Sequence, residues 1–97
     1  MTKADIRSPI EDVFSSRGRV RILKVLVSAG ELNITEIARR AGLNYAGTNR
    51  HLEALRRMGL LDEKSFGKIR IFRYRSEDPR AKAIEQLMNS WQSSTSL

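Results

Sequence analysis

The sequence predicts a mainly α domain carrying one small β-hairpin. Three observations lead there. Apolar residues recur at helical spacing along most of the chain, capping residues and glycines mark where helices start and stop, and one strand-turn-strand stretch follows residue 60. At 97 residues the chain has the length of one small domain. Its apolar fraction of 40% supports a modest core, and a domain this small gains from a second subunit.

Ser8-Pro9-Ile10-Glu11 reads as a helix start, with serine as cap, proline in the first turn and Glu11 closing a capping box. Ile10, Val13 and Phe14 share one face, and this first helix is expected to end near Ser16. From Arg17 to Ala29 the polar residues Arg17, Arg21, Lys24 and Ser28 form one narrow stripe. Val20, Ile22, Leu23, Val25, Leu26 and Val27 fill most of the rest, so this helix must be covered on several sides. Gly30 stops it. Glu31-Leu32 has room for a very short strand. Asn33-Ile34-Thr35-Glu36 is a second capping box, followed by Ile37, Ala38 and Ala41 at helical spacing. Gly42 then frees the backbone for a turn, and Asn44 caps the next helix, 44–58.

On that helix Thr48, Leu52 and Leu55 face inward, while Ala46, Arg50, Glu53 and Arg57 face outward. Gly47 leaves the first turn bare at a cost of about 1 kcal/mol relative to alanine. Leu60 to Ser65, a turn at Phe66-Gly67-Lys68, and Ile69 to Arg75 read as a hairpin. Phe72 and Tyr74 belong on its core side. Ile69 and Ile71 lie opposite, as packing within the hairpin or as an exposed patch. Asp78-Pro79 opens a last helix whose apolar stripe is Ile84, Leu87, Met88 and Trp91. The expected organisation is a loose arm at 1–7, a domain at 8–76, a helix at 77–92 and a disordered tail at 93–97.

Charge narrows the function classes. There are 18 Lys and Arg against 11 Asp and Glu, a net charge of +7 that favours a polyanionic partner. Cysteine is absent, which excludes disulfides and thiolate metal sites and suits a cytoplasmic location, at the nucleoid if DNA is bound. Val25-Leu26-Val27 is far short of a membrane span, and Met1 to Arg7 has no apolar core of a secretory signal. One histidine, no glycine-rich phosphate loop and no acidic cluster at metal spacing leave no basis for an enzyme, a metal or another cofactor. His51 flanks the apolar stripe and is expected to hydrogen-bond within the fold.

The order helix, helix, short strand, helix, turn, helix, basic hairpin and C-terminal helix is that of a winged helix-turn-helix. From about Phe14 to Arg75 the chain resembles a prokaryotic, bacterial or archaeal, transcriptional regulator of the ArsR-like type. The resemblance lies in "RVRILKVLVSAGELNITEIARRAGLNYAGTNRHLEALRRMGLL" and in the wing "FGKIRIFRYR". Within it, "RHLEALRRMGLL" matches that family's "HLxxLxxxGLL" ending. The resemblance implies a homodimeric DNA-binding repressor or activator with dimer contacts from the terminal helices. It also shows a departure, because the metal-sensing branch carries a cysteine box where this chain has Asn33 and Thr35. No effector is named by these residues.

The expected partner is double-stranded DNA, with the 44–58 helix in the major groove and the 61–75 wing on the backbone or minor groove. Tyr45, Ala46, Gly47, Asn49 and Arg50 are the candidates for reading bases, Asn49 suiting adenine and Arg50 guanine or phosphate. Arg39, Arg40, Arg56, Arg57, Lys64, Lys68 and Arg70 are candidates for phosphate. Ile84, Leu87, Met88 and Trp91 are candidates for dimerisation. A nucleoid-associated architectural binder with little sequence preference is the alternative.

Overall fold

A computed structural model describes residues 9–95. The elements follow in the order α1 (Ile10–Val13), α2 (Arg17–Ala29), β1 (Glu31–Asn33), α3 (Ile34–Ala41), α4 (Tyr45–Arg57), β2 (Leu61–Phe66), β3 (Ile69–Tyr74) and α5 (Pro79–Thr95). Ser8 and the 1–7 arm lie outside the described residues.

α1 is a single turn, shorter than expected. Pro9 holds its cap position without a side-chain hydrogen bond. Ser16 ends the segment by turning extended and accepting the Arg19 amide, so it serves as the cap of α2. A residue used as an N-cap leaves helical geometry, and this closes α1 early.

α2 is the centre of the domain. Ile22, Leu23 and Leu26 have no exposed surface. α3, α4, α5 and the sheet all pack against this helix. The three strands form an antiparallel sheet in the order β1-β3-β2. Leu32 pairs with Phe72, and Leu61 pairs with Tyr74. Phe72 and Tyr74 are buried, on the face expected for them. Ile69 is exposed at the hairpin tip, whereas Ile71 is half-buried opposite Asn33 of β1.

The hairpin turn is tighter than its sequence suggests. Phe66 pairs with Ile69, so only Gly67 and Lys68 lie in the loop. Gly67 has φ +60°, at the place where a two-residue hairpin loop favours glycine.

Asp78 caps α5, its Oδ1 accepting the amides of Arg80 and Ala81. The Tyr74 hydroxyl donates to the Ala81 carbonyl at 2.6 Å and ties the sheet to this helix. Burial, then the charges of Glu85 and Asp78, push the Tyr74 phenol well above its usual range. α5 continues through Thr95, three residues past the expected end at 92 and into the segment expected as a disordered tail. The Thr95 hydroxyl returns to the carbonyls of Trp91 and Gln92 within that last turn. No described helix is long and apolar enough to cross a membrane.

Thr48 is fully buried on the inner face of α4, and its hydroxyl has no hydrogen-bond partner among the described residues. A buried hydroxyl without a partner costs about 1–3 kcal/mol. Thr48→Val keeps the branched shape and removes the hydroxyl. It is expected to raise the free energy of unfolding by about 1 kcal/mol, read by urea titration.

Candidate nucleic-acid interface

The candidate interface rests on two capped helices. Asn33 Oδ1 accepts the Glu36 amide at 2.8 Å and starts α3. Glu36 does not complete the box. Its carboxylate takes hydrogen bonds from Arg39 and Arg40, which hold its pKa down at about 2. Gly42 then adopts a left-handed conformation at φ +71°, and the chain turns into α4 through Leu43 and Asn44. Asn44 Oδ1 accepts the Gly47 amide at 2.7 Å. A Cβ on Gly47 would stand 3.0 Å from that same oxygen. The bare first turn therefore has a local cause, since a side chain there crowds the cap.

α4 buries Thr48, Leu52 and Leu55 and exposes Tyr45, Ala46, Arg50 and Arg57. Asn49 and Glu53 are half-buried. The reason lies in the wing. Arg70 reaches across from β3, with Nε 2.7 Å from Glu63 Oε2 and Nη2 3.0 Å from Glu53 Oε2. Its Nη1 donates to Asn49 Oδ1 at 2.8 Å and to Tyr45 Oη at 3.1 Å. The guanidinium carbon also sits 5.3 Å from the centre of the Phe72 ring. Hydrogen bonds to Glu63 first, then Tyr45, raise the Arg70 pKa still higher. Arg56 adds a 2.8 Å bond to Glu53.

Arg70 was expected on phosphate, yet all three of its nitrogens already hold protein acceptors. Its role in tying wing to helix, and the roles of Glu53 and Glu63, are absent from the sequence reading. The period of a strand carries the signal. Arg70, Phe72 and Tyr74 alternate onto one face, so placing the two aromatics inward places Arg70 there as well. Glu63 pairs directly with Phe72 and shares that face.

The other candidates fall into two groups. Arg39 and Arg40 share Glu36, Arg56 holds Glu53, and Lys64 stands 3.9 Å from Glu31. Arg50, Arg57 and Lys68 are exposed and make no ion pair among the described residues. On the outer face of the wing, Arg73 binds Asp62 and Glu77, and Arg75 donates to the Gly59 carbonyl at 2.9 Å. The free positive charge of the wing is thus concentrated at its tip.

The four residues expected to mediate dimerisation do not stay together. Ile84 is 7% exposed and belongs to the domain's own core, with Met88 packed beside it. Leu87 and Trp91 are 54% and 69% exposed. They line an open apolar groove with Phe14 and Val20, between α5 and α2. Position along the helix explains the split, because Ile84 lies near the turn that Tyr74 ties to the fold, whereas Trp91 lies beyond it on the same face.

His51 acts within the fold. Its Nδ1 accepts from Arg19 Nε at 3.2 Å, and Arg19 Nη1 reaches the Asp12 carbonyl at 2.7 Å. Burial, then the charges of Arg19 and Arg50, lower its pKa. Among the described residues no three of His, Cys, Asp and Glu stand close enough to hold a metal ion.

A short turn between two helices, with a hairpin held against the second, defines a winged helix-turn-helix domain. Residues 16–63 match the helix-turn-helix model of the arsR family of bacterial regulatory proteins. Solved structures agree on the fold. The AntR antimony-specific transcriptional repressor is 22% identical, with a TM-score of 0.72 over 86% of this chain and 73% of that one. HlyU from Vibrio cholerae is 23% identical, with a TM-score of 0.72 over 84% of this chain and 86% of its own. A homodimeric winged helix-turn-helix DNA-binding domain from Mycobacterium bovis is 23% identical, with a TM-score of 0.69 over 87% of this chain and 75% of that one. No curated protein matches the sequence significantly.

The lowered His51 pKa makes stability depend on pH. The unfolded chain binds this proton more readily than the folded one, so stability present above the ordinary value of 6.5 is lost as pH falls through it. The wild type is expected to lose more thermal stability than His51→Gln between pH 7.5 and about pH 5, as followed by circular dichroism.

Proposed function

We propose that this chain is a sequence-specific transcriptional regulator that binds double-stranded DNA as a homodimer. α4 enters the major groove, and the wing tip meets the backbone or the adjacent minor groove. One observation carries this reading. The start of α4 presents Tyr45, Ala46, Asn49 and the unpaired Arg50 on a helix whose opposite face is anchored by buried Thr48, Leu52 and Leu55. An α-helix of this kind fits the major groove and reads base edges near its N-terminal end. The match of residues 16–63 to a family of regulatory proteins supports the same conclusion.

Arg50 reads guanine or phosphate, and Lys68 and Arg57 hold phosphates as free cations. Arg39, Arg40, Arg56 and Lys64 reach phosphate by exchanging a surface carboxylate, which costs little at exposed pairs. Ala46 and Gly47 keep the groove-facing turn low.

Leu87 and Trp91 supply the dimer contact, extended by Met88 and Phe14. The apolar groove they line gives a second copy something to bury, and the homodimer of the Mycobacterium bovis domain is a precedent for the fold. Two copies place their α4 helices about 34 Å apart, one turn of the duplex, on an inverted repeat.

Selection of bound sequences from a random duplex library tests the reading. A preference of 10³ or more over random duplex marks a regulator, while a ratio near unity marks an architectural binder. Arg50→Ala is expected to cost about 1–3 kcal/mol and to relax preference at one position, whereas Lys68→Ala weakens all duplexes alike and lowers the salt slope by about one. Wild-type binding by both variants would remove α4 and the wing from the interface. Trp91→Glu is expected to shift the protein to monomer in sedimentation and to weaken binding to an inverted repeat more than to a single half-site.

A further inference from the structure

Arg70 can only donate hydrogen bonds, and this decides which end of each neighbour faces it. Its Nη1 stands 2.8 Å from Asn49 Oδ1 and 3.1 Å from Tyr45 Oη. The Asn49 carbonyl oxygen is therefore turned toward the wing, and its NH2 group away from it. No protein group takes that NH2 among the described residues, and its nitrogen is not one of the buried unpartnered atoms. The Tyr45 oxygen accepts as well, which leaves its hydroxyl hydrogen free to point outward. Arg50, exposed beside them, carries donors alone. The polar side chains at the start of α4 thus offer donors to solvent and keep their acceptors for Arg70.

Arg70 is itself held. Two carboxylates, Glu53 and Glu63, grip its other nitrogens, and the Phe72 ring lies beneath it. The orientation of Asn49 is set by a cation already fixed on three sides.

We propose that Arg70 sets the base preference of α4 by turning Asn49 into a donor, so that Asn49 reads acceptors on the base edge, above all N7 and O6 of guanine. The inference rests on α4 lying in the major groove. Asparagine recognises adenine by giving one hydrogen bond to N7 and taking one from N6. The second requires the oxygen that Arg70 already engages through a charge-assisted bond and holds turned toward the wing, so adenine N6 could reach it only at that oxygen's remaining lone pair. Guanine has two neighbouring acceptors there and asks for donors alone. Cytosine presents a donor, which would meet the NH2 group with no acceptor between them. Asn49 is therefore steered away from the adenine that its residue type suggests. Arg70 is a positioning residue in this scheme and touches no base.

Sequence selection with the wild type, Asn49→Ala and Arg70→Met tests this. The position whose preference disappears in Asn49→Ala is expected to be guanine for the wild type. 7-Deazaguanine at that position, which lacks the N7 acceptor, is expected to cost the wild type roughly tenfold in affinity and to cost Asn49→Ala nothing further. Arg70→Met keeps a stem over Phe72 without a donor, and is expected to accept adenine at the same position. If Arg70→Met does not fold by circular dichroism, the 7-deazaguanine comparison between wild type and Asn49→Ala decides alone. Adenine at the Asn49-dependent position, or no position that depends on Asn49, overturns the inference while DNA binding stands. A wild type that binds no duplex at low salt overturns the underlying reading too.

Discussion

Ile22, Leu23 and Leu26 are shut off from solvent, and the other elements are arranged to keep them so. A helix apolar over most of its circumference cannot sit on a surface. α3, α4, α5 and the sheet all pack against it. The helix-turn-helix is thereby fixed to a rigid centre, with its outer face left for other work. A recognition surface needs this kind of support, because side chains on a firmly packed helix lose little freedom when they meet a partner.

The charges divide along the same line between holding and offering. Of the basic residues between Lys64 and Arg75, Arg70, Arg73 and Arg75 are engaged with carboxylates or a carbonyl, Lys64 is loosely placed near Glu31, and Lys68 is free. The net charge of +7 overstates what the wing presents and understates how it is organised. The cations nearest the core act as struts, and those farthest out carry the unpaired charge.

Most of the fold was legible in the sequence. The capping residues Asn33, Asn44 and Asp78 start α3, α4 and α5, and α2 spans the residues its polar stripe suggested. These features are local, and local chemistry decides them. The losses came where tertiary geometry decides. Ser16 works as a cap for α2 and shortens α1, a choice that depends on where α2 must sit. The α5 stripe looks continuous on a helical wheel, yet Ile84 joins the core and Trp91 stays bare, which depends on where along α5 the rest of the fold ends. In the candidate interface, outward positions on α4 follow from phase alone. The partners of Asn49 and Glu53 do not, because they come from residues far along the chain.

The Arg70 tie has a consequence for how the molecule measures length. Bonds from one guanidinium to Tyr45, Asn49 and Glu53 on α4, and to Glu63 on β2, make the wing and α4 a single stiff caliper. In the proposed docking on a duplex, such a caliper would fix the step between the groove that α4 enters and the backbone under the wing tip. A base pair inserted inside that step displaces one jaw by about 3.4 Å, more than a hydrogen bond can stretch. In the proposed dimer, spacing between two copies would depend on the α5 contact. The ruler of the proposed complex is then rigid, whatever joins the two copies.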